Sequence, residues 1–249
     1  MNIIEGSATN IKGGQYIIFN YLNSFAILLI MDFKTLDEKD LKIKLPFGMI
    51  VSGPSTSGKT TFMLHLLDQS NEMFIPSPTK ILYAYGQYNS IIPKLQAKGI
   101  IVQEGVPSEE IIDALQKNSL IILDDLMLNL TNSFLTHLFT RKLHHKQLGC
   151  IFLTQNLFEK KLKVARDNSQ YIALMNSPSA ALNIRTLGSQ LFPRQLDYFL
   201  SAYKSACSKR FGYLFIDLAP SSDPILRLRT NIFKDDDEKV IFIPSKEIF

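Results

Sequence analysis

Between Gly48 and Leu67 the chain reads GMIVSGPSTSGKTTFMLHLL, and no other stretch restricts its fold as strongly. Met49 to Val51 predict a short buried strand, and Thr61 to Leu67 carry apolar residues at helical spacing. Between them, Gly53-Pro54-Ser55-Thr56-Ser57-Gly58-Lys59-Thr60 fits G-x-x-x-x-G-K-[ST], the phosphate-binding loop. Its glycines let the backbone bend so that N–H groups point inward at phosphate oxygens. The helix behind adds its positive N-terminal dipole end. Lys59 is expected to reach the β- and γ-phosphates, the Thr60 hydroxyl to ligate Mg²⁺, and Thr61 to complete the ATP-binding stretch. The implied ligand is a nucleoside triphosphate.

At 249 residues the chain has room for one substantial α/β domain and not comfortably for two. Hydrophobic content of 46% with 20% charged residues describes a globular chain and excludes a disordered one. Cys150 and Cys207 cannot make a disulfide framework, which fits a reducing, intracellular compartment, viral or host. A net charge of +4 permits a nucleic-acid partner without demanding one.

The N-terminal segment from Gly13 to Met31 lacks charge, yet Gln15, Asn20, Asn23 and Ser24 interrupt it. A spanning helix needs about 20 predominantly apolar residues, so a membrane anchor is the weakest reading. The others are a core-packing or peripheral segment, or an upstream extension with the true start at Met31. The expected division is an extension over 1–45, an ATPase domain over 46–233 and a tail over 234–249.

Apolar runs then alternate with helical patterns. Lys80–Tyr85, Ile100–Gln103, Leu120–Leu123, Cys150–Leu153 and Tyr171–Met175 predict strands, and Phe211–Leu218 and Pro224–Phe233 read as strand-like. Helices are predicted from Ser108, an N-cap followed by Glu109 and Glu110, from Asn132 to Gln147 with Gly149 ending it, and from Pro193. This alternation predicts an α/β fold with a mostly parallel central sheet covered on both faces. In such sheets ligands sit beyond the carboxyl ends of the strands.

Besides the phosphate loop, two of those ends carry chemistry. Asp124 closes an apolar strand, where a carboxylate holds Mg²⁺ through its water shell. Asp125 follows and could polarise a water for attack on the γ-phosphate. Gln155 closes another strand and could orient that water or sense the phosphate. Arg141 lies on the flank of its helix's apolar stripe, where a guanidinium could meet a transferring phosphoryl or simply be solvated. Lys160, Lys161, Lys163 and Arg166 cluster after the Gln155 strand, and Arg227 and Arg229 share one face of an alternating segment. Either group could touch a phosphate backbone or face water. His65, His137, His144 and His145 form no zinc-ligand pattern.

With these residues in place, the chain resembles the FtsK–HerA class of P-loop NTPases (the ASCE, RecA-like division). It is most similar to the DNA-packaging ATPases of Maverick/Polinton-type elements and large DNA viruses, including the poxvirus-like ones. GPSTSGKTT (Gly53–Thr61), LIILDDLM (Leu120–Met127), LFTRKLHH (Leu138–His145) and IFLTQNLF (Ile151–Phe158) carry the resemblance, with FGYLFIDL and LRLRTNIF behind them. It runs from about Pro46 to Phe233. The resemblance implies an added strand between the phosphate-loop and Asp-Asp strands, with Gln155 at its tip. It also implies a homo-oligomeric ring, a pentamer or hexamer, in which Arg141 reaches the neighbour's nucleotide. DNA and a capsid or portal are the implied partners. One departure stands out: relatives usually carry glutamate where this chain has Asp125, one methylene shorter.

Two other readings share the phosphate loop. A small-molecule or nucleoside kinase should carry a mobile lid with paired arginines, and no such segment is evident. An inactive nucleotide-binding protein derived from an integrated element would have little use for the full set Lys59, Thr60, Asp124, Asp125 and Gln155.

Overall fold

The computed structural model describes residues 38–244 together with the backbone of 7–11 and 14–21. The expected start at Met31 lies outside the described residues. Eleven strands form one sheet: β1 (Ser7–Ile11), β2 (Gly14–Tyr21), β3 (Phe47–Ser52), β4 (Ile81–Tyr85), β5 (Ile101–Glu104), β6 (Leu120–Asp124), β7 (Gly149–Thr154), β8 (Tyr171–Met175), β9 (Tyr213–Asp217), β10 (Leu228–Thr230) and β11 (Lys239–Pro244). Their spatial order is β1-β2-β11-β10-β9-β8-β3-β7-β6-β4-β5.

From β8 to β5 every neighbouring pair is parallel. Both faces are buried, so these strands read as continuous apolar runs, and alternate residues feed opposite sides. Ile50, Ile121, Leu123 and Phe152 point into one core. Met49, Val51, Ile122, Ile151 and Leu153 point into the other, beneath helix α1 (Lys59–Asp68). The expected α/β fold with a mostly parallel sheet and helices on both faces is the one observed.

Beyond β8 the sheet turns antiparallel through β9, β10 and β11, and β11 pairs in parallel with β2 of the N-terminal hairpin. Residues 239–244, assigned to the tail on sequence, are thus the strand β11. A buried ion pair holds β9 to β10: Arg229 Nη2 lies 3.2 Å from Asp217 Oδ2, with side chains only 4% and 1% exposed. Arg229 also donates to the Leu41 carbonyl at 2.9 Å. It is therefore a core residue and offers nothing to a phosphate backbone. Truncating one partner of such a pair strands the other charge without water.

One helix end differs from the sequence expectation, and one helix lies outside it. The helix from Asn132 runs through a π turn at Leu138–Lys142 and closes at Lys146, with Gln147 left-handed at φ 55°. Gly149 belongs instead to β7, where an added Cβ would lie 2.6 Å from the Phe47 ring. Helix α2 (Ala181–Leu191) was not anticipated; it packs Ile184 and Leu187 into the core ahead of helix α3 (Leu196–Ala206).

Candidate functional site: a phosphate loop at the carboxyl edge of the sheet

β3 ends at Ser52 and the chain enters the loop at Gly53, whose N–H donates to the Thr154 carbonyl of β7 at 3.2 Å. That bond ties the loop to the strand carrying Gln155. A Cβ on Gly53 would meet Met175 Cβ at 2.5 Å and the Ser57 hydroxyl at 2.7 Å, so only glycine fits. Gly58, at φ 102°, turns the chain into α1 and provides no side-chain cap. The first-turn N–H groups of α1 are therefore left to an anion.

Lys59 folds back across the loop, donating to the carbonyls of Gly53 at 2.7 Å and Pro54 at 2.8 Å. Burial lowers its pKa, while the Asp124 and Asp125 charges oppose that shift. The loop lysine and the carboxylates of β6 are thus electrostatic neighbours. The Ser57 hydroxyl is buried in the loop without a hydrogen-bond partner.

Asp124 is the last residue of β6 and largely buried, which raises its pKa; a hydrogen bond from Tyr83 pulls it back down. The Tyr83 hydroxyl, on the neighbouring strand β4, donates to Asp124 Oδ2 at 2.5 Å. Burial and the carboxylate push that phenol far above its ordinary range, so it stays a donor. Sequence inspection gave Tyr83 no role; an alternating Tyr83 and Tyr85 in a buried strand was the only signal, and it fits any core.

Asp125 is exposed and left-handed, at φ 52°. Aspartate tolerates that region far better than most side chains, which gives a physical reason for aspartate where glutamate was expected. Gly86 makes the geometry possible. Its N–H donates to the Asp124 carbonyl at 2.9 Å, and a Cβ there would lie 1.9 Å from the Asp125 carbonyl oxygen. The sequence showed Gly86 only as a turn residue.

The strand order places β7 between β3 and β6. Gln155 follows β7 directly, exposed at the same sheet edge as the loop and the two aspartates. The expected added strand is therefore present. The loop, Asp124 and Gln155 sit on three adjacent parallel strands. The fold is that of a P-loop NTPase.

No protein-family model matches the sequence, and no curated protein matches it. Solved structures do. The genome packaging NTPase B204 from Sulfolobus turreted icosahedral virus 2, in complex with AMPPCP, is similar over 72% of this chain and 95% of its own, at 15% identity and a TM-score of 0.49. Its complex with ATP-gammaS gives 14% identity and a TM-score of 0.47. The KaiC-like protein PH0186 from Pyrococcus horikoshii OT3 is similar over 80% of this chain and 91% of its own, at 11% identity and a TM-score of 0.43.

The residues present fit a Mg²⁺–nucleotide. The loop carries an unpartnered buried hydroxyl and glycines at its narrow points, and Thr60 and Asp124 are the hard oxygen donors that Mg²⁺ prefers. Among the described residues no group of three or more histidines, cysteines or acids forms a protein-only metal site.

Arg141 lies in the π turn, exposed, with no ion pair or hydrogen bond among the described residues. Its neighbours are committed: Lys142 pairs with Asp113 at 2.7 Å and Glu109 at 3.5 Å, and Lys146 with Asp113 at 3.2 Å. The basic cluster after β7 divides. Lys160 and Lys163 are exposed. Lys161 donates to the Met127 carbonyl at 3.4 Å, and Arg166 sits 4.7 Å over the Phe158 ring while donating to the Leu157 carbonyl. No described helix is long and apolar enough to cross a membrane.

Proposed function

We propose that this chain is an intracellular ATP-hydrolysing motor of the FtsK–HerA class, akin to the packaging ATPases of Maverick/Polinton-type elements and large DNA viruses. Its work is to move double-stranded DNA into a capsid. The observation that carries the reading is β7, inserted between the phosphate-loop strand and the Asp124 strand with Gln155 at its tip. Motors and kinases share the loop; an amide at the end of the strand beside the aspartate pair suits the activation of water.

The chain's residues divide the chemistry as follows. The N–H groups of the loop and Lys59 bind the triphosphate, and Lys59 exchanges its two loop carbonyls for phosphate oxygens. Thr60 and Asp124 would hold Mg²⁺, which when bound neutralises charge between the β- and γ-phosphates. Asp125 accepts a proton from a water positioned with Gln155. That water's oxygen bonds to the γ-phosphorus as the bond to the β–γ bridging oxygen breaks, giving ADP and phosphate. Arg141, without an ion pair or hydrogen bond among the described residues, is assigned to the nucleotide of the next subunit in a ring.

DNA is assigned to the same sheet edge, where Lys160 and Lys163 face solvent just after the Gln155 loop. Such a motor grips backbone phosphates and discriminates little by sequence. The deciding experiment is ATPase activity with and without duplex DNA across salt concentrations. Stimulation that falls steeply with salt is expected. Turnover indifferent to DNA overturns the motor and favours a kinase; absence of turnover favours an inactive nucleotide-binding protein.

A further inference from the structure

The loop has a second neighbour that the proposed hydrolysis does not use. β9 runs antiparallel to β8, with Tyr213 opposite Met175. The residues just before Tyr213 therefore arrive at the edge where Asn176 follows β8 and the phosphate loop follows β3. Sequence reading began a strand at Phe211; the structure instead makes Lys209–Gly212 a turn seated on the loop. Phe211 Cβ lies 2.9 Å from where a Cβ on Gly58 would stand, so the two segments meet without room for a side chain.

Between them lies a cleft of about 480 Å³, lined by Pro54, Ser55, Thr56 and Ser57 on one side and by Asn176, Lys209, Arg210 and Phe211 on the other. That volume is ordinary for a small-molecule site, about 300–1,000 Å³. Phe211 is 43% exposed, unusual for a phenylalanine beside a buried strand. Its backbone is left-handed at φ 59°, a conformation costly for an aromatic residue. The Arg210 guanidinium lies 4.8 Å from the ring centroid. Neither Lys209 nor Arg210 has a carboxylate partner among the described residues. An exposed aromatic residue backed by the Arg210 guanidinium, with Lys209 beside it, is a stacking platform for a flat, anion-bearing ligand.

We propose that the Lys209–Phe211 turn is the nucleobase seat of this site: the base stacks on Phe211, while Lys209 and Arg210 offset the charge of the adjoining phosphates. The inference rests on the phosphate-loop reading and extends it, since phosphates held by Gly53–Thr60 leave the base to be placed by something else. Stacking of a base on an aromatic side chain is worth enough to change affinity about tenfold or more.

The test compares ATP with inorganic tripolyphosphate, both with Mg²⁺. Phe211→Leu keeps bulk against Gly58 and removes the π-face. It should lower ATP affinity about tenfold and leave tripolyphosphate affinity unchanged. Phe211→Trp should restore ATP affinity. Because the chain contains no tryptophan, its emission reports the seat directly: ATP should quench it and tripolyphosphate should not. An unchanged ATP-to-tripolyphosphate affinity ratio in Phe211→Leu, or Phe211→Trp emission indifferent to ATP, overturns the seat and leaves the phosphate loop standing. If the wild-type chain binds neither ligand, the phosphate-loop reading falls and the seat falls with it; if it binds both, Lys59→Ala should weaken both alike, since the loop holds only the phosphates.

Discussion

The Tyr83 hydroxyl donates a 2.5 Å hydrogen bond to Asp124 Oδ2, across 41 residues of sequence and one sheet spacing. That bond favours the charged carboxylate, against burial, the larger effect, which raises the Asp124 pKa. Tyr83→Phe should preserve the fold, since only a hydroxyl is lost. It should raise the Mg²⁺ concentration needed for half-maximal ATPase by about 10–100-fold, the usual consequence of removing a partner behind a metal ligand. A metal titration of both proteins checks this; an unchanged midpoint would dismiss the bond as packing.

Gly86 and Asp125 are coupled through the backbone. A methyl at Gly86 would stand 1.9 Å from the Asp125 carbonyl oxygen, and that oxygen belongs to the peptide that orients the reactive carboxylate. Gly86→Ala should cost about 1–3 kcal/mol of stability and most of the turnover, with ATP affinity largely retained. Thermal melts beside steady-state ATPase would show whether activity falls further than stability explains.

Asp125→Asn isolates the chemistry, because asparagine accepts left-handed backbone as readily as aspartate. Binding of ATP should be spared and hydrolysis lost, whereas Lys59→Ala should weaken binding itself. Gln155→Ala should sit between them, with normal affinity and slowed turnover. Normal hydrolysis by Asp125→Asn would reassign the base.

Arg141→Ala should lower ATPase by about 10³-fold or more if the guanidinium serves a neighbour's phosphoryl group, with ATP affinity and melting temperature unchanged. Mixing decides whether it acts in trans. A Lys59→Ala subunit has a dead site and an intact arginine, so in mixed rings it should rescue an adjacent Arg141→Ala subunit. No recovery at any mixing ratio would confine Arg141 to its own chain.

Lys160→Glu with Lys163→Glu reverses the two exposed charges of the basic cluster and leaves Lys161 and Arg166 to their contacts within the fold. Stimulation by DNA should fall and its salt dependence flatten by roughly the number of phosphate contacts removed. Basal ATPase is the control. Undiminished stimulation would move the DNA surface elsewhere.

The sequence by itself determined the elements and their chemistry. An apolar run, a glycine loop and a helical stripe are patterns of near neighbours, so Gly53–Thr60 was legible as a phosphate loop, and Asp124 and Gln155 as strand ends. Those features follow from backbone sterics and side-chain spacing, which act over a few residues. Tertiary structure alone decided the rest. It set β7 between β3 and β6, placed Tyr83 behind Asp124, and brought Gly86 against Asp125. It also folded Phe211 onto Gly58 and buried Arg229 on Asp217, while Arg141 stayed without a partner among the described residues. Each of these depends on which strands lie side by side. That choice comes from burying both faces of the sheet at once, a condition no short window of sequence contains.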